Sequence, residues 1–242
     1  MSQSHSALII GGNRGIGHAT VRAFVERGDT VAFTHHSHAA DPELAYLGAL
    51  PVFCDITDSD QVESAFEEVE ADQGPVEVLV ANAGITRDQL LLRMSEADFT
   101  TVLETKLIAS YRLAKRAAQS MVKAKQGGRI ILVSSAAALT GEAGQTDYAP
   151  STAALIGFGR SLAQEVGSHG ITVNIVTPGL TDTAIAAALP ETHANETIGD
   201  VPLGRIGSPE EIAATIAFLA SEEAAHITGA VVPVDGTISI GH

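Results

Sequence analysis

A single α/β domain built on a doubly wound parallel sheet is the architecture this sequence predicts, and three observations predict it. Short β-branched runs alternate with longer amphipathic or alanine-rich stretches along the whole chain. A glycine-rich turn joins the first such run to the first helix-like stretch. The 242 residues suit one domain of this class, which buries a full core at 200–250 residues.

The strand-like runs are Ala7–Ile10, Thr30–Thr34, Pro51–Cys54, Val76–Val80, Arg129–Val133, Ile171–Val176 and Ala230–Val234. That gives about seven strands. Helices are expected at Ile16–Arg27, Ser59–Gln73, Glu96–Lys125, Tyr148–Ser168 and Pro209–Ser221. Strand–helix–strand repetition places helices on both faces of a parallel sheet. Caps mark three helix starts: Asp58, Ser95 with Asp98 three residues on, and Ser208 followed by Pro209 and Glu211. Between the second and third strands, His35–Leu50 is too short for a long crossover helix. The stretch Ala184–Ile206, alanine-rich and then punctuated by Pro and Gly, reads as a mobile lid.

Composition narrows the function classes. A formal charge of −15 argues against nucleic acid and anionic membrane partners. No apolar run is long enough to span a bilayer, and polar Met1–Ser6 does not read as a secretory signal. The lone cysteine, Cys54, cannot close an internal disulfide, which fits a reducing cytoplasm.

The glycine turn is Gly11-Gly12-Asn13-Arg14-Gly15-Ile16-Gly17, between a strand and a helix. Glycines allow a tight turn and close backbone approach to a pyrophosphate, and the helix N-terminus supplies N–H donors. The second strand runs out at Thr34-His35-His36-Ser37, with no acidic residue before Asp41. NAD-specific sites place an Asp or Glu there for the ribose 2′-hydroxyl. Its absence, with Arg14 and assistance from Ser37 and His36, predicts NADP(H). The grouping of His35, His36 and His38 is read as solvated loop rather than a metal site, because neighbouring residues on a strand point to opposite faces.

Further motifs complete a resemblance that covers essentially the whole chain. Gly11–Gly17, Asp55, Asn82-Ala83-Gly84, Ser135, Tyr148, Asn174 and Pro178-Gly179 resemble those of the short-chain dehydrogenases/reductases. Gly84–Asp88, Gly204–Gly207 and Ile227–Gly229 are similar to the 3-oxoacyl-[acyl-carrier-protein] reductase branch, and Gly11–Gly17, Cys54–Asp60 and Gly241-His242 to its long-chain, mycolic-acid-type members. The resemblance implies a Rossmann-type sheet. It implies that Asp55 and Ile56 flank the adenine and that Asn82–Gly84 passes beneath the cofactor ribose. Pro178, Gly179, Thr181 and Thr183 are implied to hold the nicotinamide carboxamide and pyrophosphate. The closing segment Val231–His242 resembles one that packs across a tetramer interface, so a homotetramer is implied.

The reaction so implied is reduction of a β-ketoacyl thioester by NADPH. Tyr148 donates a proton to the forming alkoxide, and Ser135, thirteen positions earlier, hydrogen-bonds the same oxygen. Two positions depart from the family. The lysine normally four residues after the tyrosine is Thr152, and an asparagine of the long fourth helix is Lys106. Either the site has lost its assistance, at a cost of about a hundredfold to ten-thousandfold, or the Lys106 ammonium replaces the missing one from another helix. Relocation implies a Tyr148 pKa lowered by the nearby ammonium. The family's basic carrier-protein surface is thinner as well. Gln126 and His169 occupy two of its positions, with Lys125, Arg129 and Arg160 expected near the site entrance. Two functions follow: a reductase of acyl thioesters carried on acyl-carrier protein or coenzyme A, or a cofactor-binding, weakly catalytic or non-catalytic subunit of a mixed tetramer.

Overall fold

The structure is a computed structural model that describes residues 4–183 and 198–239. Seven parallel strands form one sheet in the order β3-β2-β1-β4-β5-β6-β7. They are β1 (Ser6–Ile10), β2 (Thr30–His35), β3 (Leu50–Phe53), β4 (Val78–Ala81), β5 (Gly128–Val133), β6 (Ile171–Pro178) and β7 (Val231–Val234). The helices are α1 (Gly15–Arg27), α2 (Pro42–Tyr46), α3 (Ser59–Gln73), α4 (Glu96–Leu103), α5 (Ala109–Ala124), α6 (Ala137–Thr140), α7 (Tyr148–Val166) and α8 (Pro209–Leu219). The expected Rossmann-like sheet is therefore present. The second crossover is indeed short, containing only the five-residue α2.

β1, β4 and β5 are buried along their whole lengths because helices cover both faces. Side chains alternate between two cores. Leu8, Leu79, Ile130 and Val173 pack with α3, α5 and α7 on one face. Ile9, Val80, Ile131 and Val176 pack with α1 and α8 on the other. Asn174, inside β6, spends its amide on the approach to β7. It donates to Ile227 O at 2.7 Å and accepts from Ala230 N at 3.2 Å.

One expected element differs. Glu96–Lys125 is not one regular helix: a π-helical turn, Glu104–Ile108, separates α4 from α5. The extra residue in that turn swings its side chains off the regular helical stripe, a distortion that periodicity does not show. The lid expected over Ala184–Ile206 falls largely on residues 184–197, outside the described residues. Of the remainder, Val201 is buried.

The three caps form as the sequence predicts. Asp58 accepts from Asp60 N and Gln61 N, Ser95 from Asp98 N, and Ser208 and Glu211 make a reciprocal capping box. Because α8 covers one face of the sheet beside α1, loss of that cap is felt globally. Ser208→Ala should lower the unfolding free energy by about 1 kcal/mol, read as a lower urea midpoint at unchanged slope. An unchanged midpoint would show that the box contributes nothing.

Candidate active site

The strand order reverses between β1 and β4, and the carboxyl ends of these two strands bound a crevice at the switch point. The glycine turn leaves β1 at that edge. Gly17 sits so close to the turn that a Cβ there would lie 2.1 Å from Gly11 O. Only glycine brings α1 this near, and its first N–H groups then face the crevice. Asn82 closes the other side by donating to Gly11 O at 3.3 Å. From β6, Pro178 and Gly179 reach the same edge, and the Thr181 hydroxyl donates to Gly179 O at 2.9 Å. Thr183 lies over the turn, its methyl 3.2 Å from where a Gly15 Cβ would stand.

The end of β2 is tied to this turn. Thr34 accepts from Gly11 N at 2.9 Å. Asn13 donates to Ala39 O and accepts from Asp41 N, at 2.9 and 2.7 Å. Arg14, the residue preceding α1, is exposed and forms no ion pair among the described residues. Ser37 and His36 are exposed on the loop between β2 and α2. His36 lies 3.7 Å from the Asp55 carboxylate and against the Phe53 ring. Asp55 accepts from both the Thr57 hydroxyl and amide, which hold its carboxyl below the ordinary range. Ile56 is buried behind it. The three histidines do not converge: the His35 ring bonds to His38 O, while His36 turns to Asp55.

Ser135 follows β5 and Tyr148 opens α7, both at the same edge. Asp147 fixes the start of α7 by accepting from Tyr148 N at 2.7 Å. Ser135 lies close enough to Tyr148 to act on its hydroxyl, and its own oxygen accepts from Ala137 N at 3.2 Å. Burial is the main influence on the tyrosine and pushes its pKa up; Ser135 opposes this, and the Asp88 carboxylate adds to it. The lowered tyrosine pKa that relocation implies is therefore not seen in the chain alone. The groups setting this acidity are the desolvating protein, Ser135 and Asp88.

Lys106 lies in the π-turn and is 3 % exposed. Its Nζ faces Asn82 O and Ala83 O at 3.5 and 3.4 Å, contacts too long to replace its hydration. Its stem lies against Gly84, where a Cβ would stand 3.0 Å from Cδ. Burial lowers its pKa from 10.5 to about 8. Thr152, four residues after Tyr148 on α7, is fully buried and turned onto its own helix, donating to Tyr148 O and Ala149 O at 3.0 Å. The ammonium therefore sits under the end of β4, and α7 presents none.

The comparisons with known proteins agree with this geometry. The family described as enoyl-(acyl carrier protein) reductase matches residues 10–239. The chain is 44% identical over 239 residues to the 3-oxoacyl-[acyl-carrier-protein] reductase MabA of Mycobacterium avium, covering 99% of this chain and 91% of the relative. It is 44% identical to the protein of the same name from Mycobacterium tuberculosis, covering 99% and 94%. It is 43% identical over 233 residues to the 3-oxoacyl-[acyl-carrier-protein] reductase FabG of Escherichia coli, covering 95% of each. The chain belongs to the short-chain dehydrogenase/reductase family.

Two features of this family member escaped the sequence reading. Asp88 was visible only as part of a motif, and its influence on Tyr148 depends on the loop after β4 folding back. Gln89 N donates to Gly144 O, and Gln145 donates to Asp88, which brings that loop beside the segment leading into α7. The second feature is a correction. Arg129 is not near the site entrance within one chain. It opens β5 at the sheet's amino edge, buried and paired with Glu222 at 2.9 Å. Gln126 and His169 lie at that same edge, just before β5 and β6. Parallel strands send their starts and ends to opposite edges, so these residues cannot share an edge with Ser135.

Lys106 gives a signed pH prediction. Its folded pKa lies below its unfolded one, so between about pH 8 and 10.5 the unfolded chain binds more protons and stability rises with pH. The difference in unfolding free energy between Lys106→Met and the parent should therefore shift in the parent's favour across that window, by up to about 3 kcal/mol. Denaturant titrations of both proteins at pH 7, 8, 9 and 10 test this. A constant difference would show that Lys106 is not held in a desolvated state.

Proposed function

We propose that the chain is an NADPH-dependent reductase of β-ketoacyl thioesters. The observation that carries this reading is the Ser135–Tyr148 pair brought together at the carboxyl edge of the sheet, beside a glycine turn built for a dinucleotide. Two hydroxyls aimed together suit a ketone oxygen, which gains charge as it is reduced. Ketone reduction is also what the named relatives at 43–44% identity point to.

The residues present fit NADP(H). Gly11, Gly15, Ile16 and Gly17 would hold the pyrophosphate, Asn13 the geometry of the turn, and Arg14, His36 and Ser37 the 2′-phosphate. Asp55 and Ile56 would flank the adenine, Asn82, Ala83 and Gly84 the ribose, and Pro178, Gly179, Thr181 and Thr183 the nicotinamide end. When bound, the cofactor supplies the hydride. Ser135 orients the substrate oxygen, and Tyr148, protonated at neutral pH, gives it a proton. Lys106 is the catalytic cation in this reading: a group with a pKa of about 8 under the ribose platform can steady the proton relay that an α7 lysine otherwise serves.

The substrate is read as a small-molecule acyl thioester carried on acyl-carrier protein or coenzyme A, and the setting as cytoplasmic. The exposed apolar residues Ile108 and Tyr111 on the outer side of the π-turn and α5, with Phe158 of α7 against Tyr111, support burial of these helices in a homotetramer. A second reading, a weakly catalytic or non-catalytic subunit of a mixed tetramer, is favoured by the inward-turned Thr152 and the raised Tyr148.

Two experiments test the proposal. The protein should bind NADPH more tightly than NADH by fluorescence titration, and Arg14→Ala should erase most of that margin. Equal affinities in the parent would overturn the cofactor reading. Steady-state kinetics on a short β-ketoacyl thioester test the rest. The parent should turn over, Tyr148→Phe should lose at least about a hundredfold, and Lys106→Ala should lose a comparable factor with NADPH affinity kept. Lys106→Asn combined with Thr152→Lys should restore the family arrangement and stay active. An inert parent awakened by that double change would instead establish the non-catalytic subunit.

A further inference from the structure

We propose that His36 is a protonation-gated reader of the 2′-phosphate, so that discrimination between NADPH and NADH depends on pH. The inference rests on the NADP(H) reading above and adds to it a specificity residue whose charge is conditional. Four observations carry it. His36 stands at the carboxyl end of β2 with its side chain 54% exposed, at the strand end where the ribose 2′ substituent is read in this fold. No carboxylate occurs from Thr34 to Ala40, and Asp41, the first beyond them, is paired with His18. The loop is held against the glycine turn by both polar atoms of Asn13, through Ala39 O and Asp41 N. The imidazole already has an anionic partner, Asp55 at 3.7 Å, with its ring braced on Phe53.

The charged groups around it set the sign. From the loop after β3, Asp55 is kept ionised by Thr57, with Asp58 behind it. From the glycine turn, Arg14 contributes a positive charge that does not change between pH 5 and 9. On its own loop His35 is held to His38 O, and beyond it Asp41 pairs with His18. Imidazole is the side chain whose ordinary titration falls between pH 5 and 8. A phosphate dianion arriving beside His36 favours the imidazolium, so binding takes up a proton near neutral pH. NADH brings no such charge. The phosphate itself acts in the opposite sense: its second ionisation lies near pH 6, and cations beside it favour proton release. Arginine at position 36 would give the same charge permanently, which makes His36→Arg the reference that isolates the imidazole's part.

The test is isothermal titration of the parent, His36→Arg and His36→Gln with NADPH and with NADH, from pH 6.5 to 8.0, in buffers of different ionisation enthalpy. His36 is exposed, and urea midpoints matching the parent's show that the variants are folded. Relative to His36→Arg, the parent's NADPH-to-NADH affinity ratio should fall about fivefold over this range, the size of one exposed charge pair. The parent should take up protons with NADPH and not with NADH, and neither variant should show the uptake. A parent that prefers NADPH by a margin parallel to that of His36→Gln, with the same proton count, overturns the inference and leaves the NADP(H) reading intact. A parent that prefers NADH at every pH overturns both.

Discussion

Seven parallel strands send their carboxyl ends to one edge of the sheet, and every loop with a functional assignment in this chain leaves from that edge. The polarity of the sheet thus decides which residues can meet. Gly11–Gly17, His36, Asp55, Asn82–Gly84, Ser135 and Pro178–Thr183 are far apart in sequence, yet each follows the end of a strand. The reversal of strand order between β1 and β4 opens the crevice into which they converge. The same rule sends Arg129, Gln126 and His169 to the opposite edge.

Within that edge, Lys106 and Tyr148 carry the unusual electrostatics. An ammonium buried against two backbone carbonyls is costly, since 3.4–3.5 Å contacts do not repay lost hydration. The π-turn that carries Lys106 is itself a departure from regular helix, of the kind that concentrates at functional sites. Meanwhile Thr152 satisfies its hydroxyl inside α7 and leaves Tyr148 without a cation one turn along its own helix. The buried cation of the π-turn and the uncharged Thr152 have one explanation if, as proposed, the positive charge moved from α7 to the π-turn.

Much of this was legible in the sequence. Strand positions followed from β-branched runs, and the three helix starts from local cap chemistry, because both depend on near neighbours. The glycine turn was legible because only glycine permits the Gly17 approach to Gly11 O. What remained hidden involved contacts between distant segments. The π-turn leaves no trace in periodicity. Asp88 acts on Tyr148 only because the loop after β4 meets the one before α7 at Gly144 and Gln145. The direction of the Lys106 side chain could not be read from spacing, and the structure turns it to the end of β4.

The relocated cation is tested most directly by a crystal structure of the chain with NADP+ bound. If Lys106 has taken over the role, its Nζ will lie within about 3 Å of a nicotinamide ribose hydroxyl or of the Tyr148 hydroxyl. If Nζ remains on the Asn82 and Ala83 carbonyls while both of those hydroxyls bind elsewhere, the charge has not moved and Lys106 is no part of the proton relay.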